Sequence, residues 1–262
     1  MEMKEFGCNN EKKILLIHGA GATYKMWTAQ IEVLEKEYHL YVPTLNGHVI
    51  GQNKEYIEPQ QEAGDIVEWF EKHDIKRIDM IAGASLGAYV ASEVLRLCPD
   101  FAEYALIESL KSYHYGRFMT QIFLSVGERI LRKAAGVEGI MDGSYQKDYI
   151  SDDMKYVLSN MTKTSLHNVL LTAANYRVPE GERKITAKTL IIYGSKEEKL
   201  CKENTEILEK QIVECKCYLI DGYNHGELSI GNPMEHVEML KMWMENGMVA
   251  IINGIECATS EM

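Results

Sequence analysis

Along this chain, short runs of consecutive apolar residues alternate with stretches in which apolar residues recur every third or fourth position. That is the pattern of strands buried on both faces and of the helices that cover them. Residues 14–17 form an unbroken apolar run that ends at His18-Gly19, so they read as a strand entering a loop. Trp27, Ile31 and Leu34 follow at helical spacing. A second strand is predicted at 40–42, stopped by Pro43, which has no N–H to give a ladder. A helix through 65–71 carries Ile66, Trp69 and Phe70 on one side, and a third strand occupies 78–82. After Gly83-Ala84-Ser85-Leu86-Gly87 a helix runs to Cys98 and is closed by Pro99, and a further strand lies at 105–107.

From about residue 112 the rhythm changes. No strand is evident up to 183, and three helical stretches appear instead, near 117–133, 152–159 and 165–176. In the first, Phe118, Ile122, Val126 and Ile130 fall on every fourth position. Pro179-Glu180-Gly181 closes the segment, after which a strand at 189–193, a helix near 204–211, a strand at 217–220 and a helix at 233–244 restore the alternation. The expected fold class is α/β: a mostly parallel central sheet flanked by helices, with a core of 1–111 and 183–262 and a helical cap insertion at 112–182. Residues 255–262 have no period and are expected to fray.

Composition narrows the class of partner. The 262 residues are 46% hydrophobic, which suits one globular domain, and 28 basic against 39 acidic residues leave a net charge of −11. That balance argues against nucleic acid and against an anionic membrane surface. The charged first residues lack a signal-peptide pattern, and no apolar stretch approaches the roughly 18 residues of a spanning helix. Of six cysteines, Cys215 and Cys217 stand two apart with no second pair, so no zinc site is predicted and reduced thiols in a cytoplasmic protein are expected. Nothing in the sequence calls for a metal or a cofactor, and oligomeric state is not legible.

Gly83-x-Ser85-x-Gly87 is the pattern of a serine held on a sharp turn between a strand and a helix, where side chains two positions away would collide. The flanking strand and helix supply its required context. At the helix N-terminus the N–H of Leu86 is free to donate to an oxyanion. His18-Gly19-Ala20-Gly21-Ala22 follows another strand, its small residues allow close approach, and Ala20 is the expected second donor. His18 reads as an internal hydrogen-bonding prop.

A serine hydroxyl needs a base. Of eight histidines, His225 is best placed, on a loop after the strand at 217–220 and the turn Asp221-Gly222-Tyr223-Asn224. His236, between Glu235 and Glu238 in a helix, reads as a surface residue, and His48 as loop structure. The imidazole in turn needs a carboxylate. Glu197, after the strand at 189–193, gives the order Ser85, Glu197, His225. Glu198 beside it and Glu108, after the strand at 105–107, stay open as alternatives; Asp221 reads as a turn former. Tyr113, Tyr115, Phe118, Phe123, Met154 and Tyr176 are candidate walls of an acyl site, or plain packing.

These motifs together resemble the α/β-hydrolase superfamily across nearly the whole chain, most closely the capped esterase and carbon–carbon hydrolase branch. Trp27, Asn46-Gly47-His48 and Asn224-His225-Gly226 add to the likeness. The resemblance implies a Ser85 nucleophile, a His225 base, Leu86 and Ala20 as oxyanion donors, a lid over the acyl pocket and a small-molecule, ester-type substrate. It leaves open a thioesterase, a carbon–carbon hydrolase, or a binding protein on the same scaffold. The glutamate at 197, where relatives usually carry aspartate, Ala84 in the elbow and Thr44 before Asn46 are departures.

Overall fold

A computed structural model of the protein describes residues 1–113, 115–134, 151–182 and 184–247. Seven strands form one sheet in the order β1-β3-β2-β4-β5-β6-β7. They are β1 Glu2–Phe6, β2 Lys13–Ile17, β3 His39–Thr44, β4 Ile78–Ala84, β5 Ala102–Glu108, β6 Lys188–Gly194 and β7 Cys215–Ile220. β1 runs antiparallel to β3, and every other pairing is parallel.

Helices α1 Thr28–Leu34 and α8 Pro233–Asn246 cover one face, while α2 Pro59–Lys72, α3 Leu86–Leu97 and α7 Glu198–Glu209 cover the other. Strand alternation assigns the two cores: Ile14 and Leu16 pack with Trp27, Leu240 and Trp243, whereas Leu15 and Ile17 pack with Ile66, Phe70 and Val90. Each of these side chains is essentially removed from water, which is worth about 1.5–3 kcal/mol apiece. Between β5 and β6 the chain forms α4 Arg117–Ala134, α5 Asp152–Asn160 and α6 Lys163–Asn175, with no strand among the described residues of that segment.

One strand was not anticipated, and three local expectations are corrected. β1 is a strand that the charges Glu2, Lys4 and Glu5 conceal; at the sheet edge, with β3 as its one neighbour, such charges are tolerated. Pro43 lies inside β3 rather than ending it, because β2 leaves β3 after Leu15 pairs with Tyr41, and beyond that point no ladder on that side needs an N–H. Helix α7 begins at Glu198, six positions before the predicted start, its first turn being too polar to show a period. Finally, Phe118, Ile122 and Val126 face outward, Phe118 being 77% exposed, and α4 instead turns Thr120 and Leu124 inward. Spacing alone does not say which of two stripes meets the core. Ile130 and residues 255–262 lie outside the described side chains.

Candidate active site

The C-terminal ends of β2, β4, β5, β6 and β7 share one edge of the sheet, and there the candidate residues converge. Ser85 takes φ 56° and ψ −116°, a left-handed backbone that a side chain adopts only under constraint. The constraint is visible on both sides of it. A Cβ on Gly83 would overlap the carbonyl of Gly87, and one on Gly87 would overlap the carbonyl of Ile17. The Ser85 N–H donates to the Glu108 carbonyl at 2.9 Å, tying the turn to β5. Helix α3 starts at the next residue, and the serine side chain stays half-buried.

His225 sits between β7 and a single π-helical turn, Glu227–Gly231, and Gly226 supplies the left-handed residue the loop needs at φ 66°. Its Nε2 lies 2.8 Å from Ser85 Oγ, and its Nδ1 lies 2.8 Å from Glu197 Oε2. Glu197, in a short 3-10 turn after β6, is 3% exposed. Its other oxygen accepts from Ser109 Oγ at 2.5 Å and from the Gly194 N–H at 3.4 Å. Lys111, also buried, places Nζ 3.3 Å from Oε2. Burial alone would raise the pKa of this carboxyl, but His225, Lys111 and Ser109 together hold it down at about 2. The carboxylate is therefore ionised at any ordinary pH, and as an acceptor-only group it favours a proton on Nδ1; a neutral ring then offers Nε2 as an acceptor toward the serine.

The alternatives fall elsewhere. Glu198 is exposed at the start of α7. Glu108 is buried at the end of β5, where its Oε1 accepts from the Ser229 N–H at 3.3 Å, while the carboxylate 2.8 Å from His225 Nδ1 is that of Glu197. Burial pushes its pKa up to about 7, with the charge of Glu197 adding to the rise. Asp221 accepts from Ser195 Oγ at 3.2 Å in an exposed turn.

The loop after β2 passes beside the serine: a Cβ on Gly19 would lie 3.5 Å from Ser85 Cβ. His18 is fully buried and holds this loop, its Nε2 accepting from the Leu45 N–H at 3.0 Å and its Nδ1 donating to the Gly19 carbonyl at 2.7 Å. Burial drops its pKa to about 3, so it is neutral. His48 is buried beside it. The backbone N–H groups of Leu86 and Ala20 donate to no acceptor among the described residues.

Helix α5 packs against the loop after β2 at this edge. Leu158 of α5 lies where a Cβ on Gly21 would come within 2.7 Å, and Asp153 accepts from Thr23 Oγ1 at 2.6 Å and pairs with Lys25 at 2.9 Å. Tyr113, Tyr115 and Phe123 form one aromatic cluster, with ring centroids 5.3–6.4 Å apart. Tyr176 instead stacks on Tyr89 and donates its hydroxyl to Glu93, while Met154 joins the core under the helices. Phe118 stands in solvent and walls nothing in the described structure.

His236 corrects the surface expectation: it is 1% exposed and stacks on Trp27, and burial lowers its pKa to about 3. Its neighbours in the sequence are acidic, but it shares the inward stripe of α8 with Leu240 and Trp243. Sequence reasoning missed Ser109 and Lys111. Ser109-Leu110-Lys111 reads as ordinary loop after a strand, and a buried lysine is not something composition announces.

The sequence matches no family model, and no curated protein matches it. Solved structures do resemble the fold. An alpha/beta hydrolase family protein from Desulfitobacterium hafniense superposes with a TM-score of 0.76 at 20% identity, covering 93% of this chain and 100% of that one. A thermophilic esterase from Thermogutta terrifontis gives 0.69 at 18% identity, covering 93% and 92%. An N-acyl homoserine lactone degrading enzyme gives 0.72 at 18% identity, covering 92% and 95%. The chain has the α/β-hydrolase fold.

Proposed function

We propose that the protein is a serine hydrolase that cleaves a small or medium carboxylic ester through an acyl-enzyme. One observation carries this reading: a continuous line of two 2.8 Å contacts from Ser85 Oγ through His225 to Glu197. A half-buried serine on a strained turn, at hydrogen-bond distance from an imidazole that is itself bonded to an ionised carboxylate, is the arrangement that makes a hydroxyl nucleophilic.

In this reading Ser85 Oγ attacks the ester carbonyl carbon while His225 Nε2 takes its proton, and Glu197 stabilises the imidazolium that forms. The negative oxygen of the tetrahedral intermediate is received by the N–H groups of Leu86 and Ala20, each such donor being worth about 3–4 kcal/mol in the transition state. The intermediate collapses, the C–O bond breaks, and the departing alcohol takes the proton from Nε2. Water then repeats the sequence on the acyl-serine and releases the acid. Residues 112–182 act as the lid: Leu158 and the Asp153 contacts hold it against the loop that carries Ala20. No described helix is long and apolar enough to cross a membrane. The solved neighbours include an esterase and a lactone-degrading enzyme, and a lactone is a cyclic ester, which supports the substrate class. Among the described residues no disulfide forms, in keeping with a cytoplasmic, reducing location.

The test is rapid mixing with p-nitrophenyl esters of graded acyl length. A burst of one nitrophenolate per chain, absent in Ser85→Ala, is expected for at least one acyl length. Hydrolysis that persists in folded Ser85→Ala would refute the assignment.

A further inference from the structure

At the opposite, N-terminal edge of the parallel strands a second group of chemically capable residues comes together, from three stretches that the sequence keeps apart. Glu5 lies on β1 and His39 opens β3. The register pairs Glu5 with Tyr41, so His39 is its diagonal neighbour on the same face. Cys8 reaches them by way of Gly7, whose φ of 61° and close approach to the Tyr38 carbonyl leave no room for a side chain. One donor atom from each, a Glu5 carboxylate oxygen, the Cys8 sulfur and a His39 ring nitrogen, lie within 4.8 Å of one another. His39 Nε2 and Glu5 Oε2 are already 2.9 Å apart.

We propose that Glu5, Cys8 and His39 form a binding site for a zinc-class divalent cation, which clamps β1 onto β3. The donor set selects the metal: one thiolate, one imidazole and one carboxylate suit zinc, whereas a sulfur ligand disfavours magnesium and calcium. Zinc bonds of about 2.0–2.3 Å in a tetrahedron need ligand atoms about 3.3–3.7 Å apart. Rotation of the exposed Glu5 and Cys8 side chains closes the remaining gap.

The histidine is the fixed member, and what fixes it is an independent observation. Its Nδ1 lies 3.2 Å from the Tyr41 hydroxyl, and its ring stacks on the Tyr41 ring at 4.4 Å. Tyr41 is itself 1% exposed. A metal on Nε2 puts the imidazole proton on Nδ1, where the hydroxyl oxygen accepts it, the outer support that metal-bound histidines use. Binding converts the Cys8 thiol to thiolate with release of one proton, and two anionic ligands neutralise the cation. Water fills the fourth position. The site lies the length of a strand from Ser85, so its role is structural.

Cobalt(II), and then zinc, titrated into the full chain tests this. The expected result is one metal per chain with a thiolate-to-cobalt charge-transfer band, displaced by zinc, and a zinc-dependent rise in Tm. Cys8→Ser and His39→Gln should abolish both, and Tyr41→Phe should weaken zinc by about 10–100-fold. Circular dichroism shows which variants are folded, and Cys8→Ser changes only an exposed side chain. Absence of one-to-one binding, or a band that survives Cys8→Ser because Cys215 and Cys217 provide it, would overturn the proposal.

Discussion

Replacing Glu108 by glutamine keeps the shape of the side chain and an oxygen to accept from the Ser229 N–H, while removing a buried group that titrates. In the folded protein, burial first and the Glu197 charge second raise this carboxyl to about 7 from its ordinary 4.5. A group whose pKa is higher folded than unfolded stabilises the fold fully below the unfolded value, and that contribution is lost as pH rises through the folded value. Between about 4.5 and about 7 the unfolded chain has released the proton and the folded one has not. The interval of about 2–3 pH units, at 1.36 kcal/mol for each, makes roughly 3 kcal/mol. Glu197 titrates oppositely and in a separate window: its folded value of about 2 gives stability that is present above 4.5 and lost only as pH falls toward 2. Buried His18, His48 and His236 also change stability as pH falls, but they are common to both proteins and cancel in the comparison. Urea unfolding from pH 4 to 9, followed through buried Trp27 and Trp243, measures the difference. Wild type minus Glu108→Gln should fall by about 1.4 kcal/mol per pH unit across that interval and be flat on either side. Parallel stability curves would refute the assignment of a buried, late-titrating carboxyl at 108.

Further outcomes are specific to the site. Glu197→Gln should reduce ester kcat/KM by about 10³–10⁴-fold by destabilising the imidazolium and the correct tautomer, while Glu108→Gln stays within a few-fold of wild type; the reverse order in steady-state assays would move the acid to Glu108. Lys111→Met removes a cation 3.3 Å from Glu197 Oε2, leaving that oxygen to His225, so the acidic limb of the kcat/KM–pH profile should move to higher pH. A limb that stays put or moves down contradicts that role. Gly64→Ala, in the middle of α2 with open space around the new Cβ, should add about 0.5–1 kcal/mol of stability. Gly87→Ala, which must displace the Ile17 carbonyl, should lower Tm and abolish labelling of Ser85.

The strands β2, β4, β5, β6 and β7 were legible because each is an apolar run between turn residues, and the parallel sheet followed from the helices between them. β1 was not, since an edge strand with one neighbour needs little apolar surface and Glu2-Met3-Lys4-Glu5 shows none of the usual alternation. The elbow was readable at Gly83 and Gly87 because backbone crowding there admits no Cβ, a constraint that acts within five residues of chain. Lys111 and Ser109 were invisible for the opposite reason: they acquire meaning only when β6 brings Glu197 beside β5, which no local pattern encodes. The same holds for His236, where two flanking glutamates outvoted a helical face, and for Glu5, Cys8 and His39, which only strand pairing unites.

A fluorophosphonate probe followed by peptide mass analysis addresses Ser85 most directly, because such reagents phosphonylate only serines whose hydroxyl is already activated. One adduct per folded chain is expected, on the peptide containing Gly83 to Gly87, lost in Ser85→Ala and strongly slowed in His225→Ala. Folded wild-type protein that stays unmodified at Ser85, or is labelled equally well without the imidazole, would contradict the nucleophile–base pair on which the proposed chemistry rests.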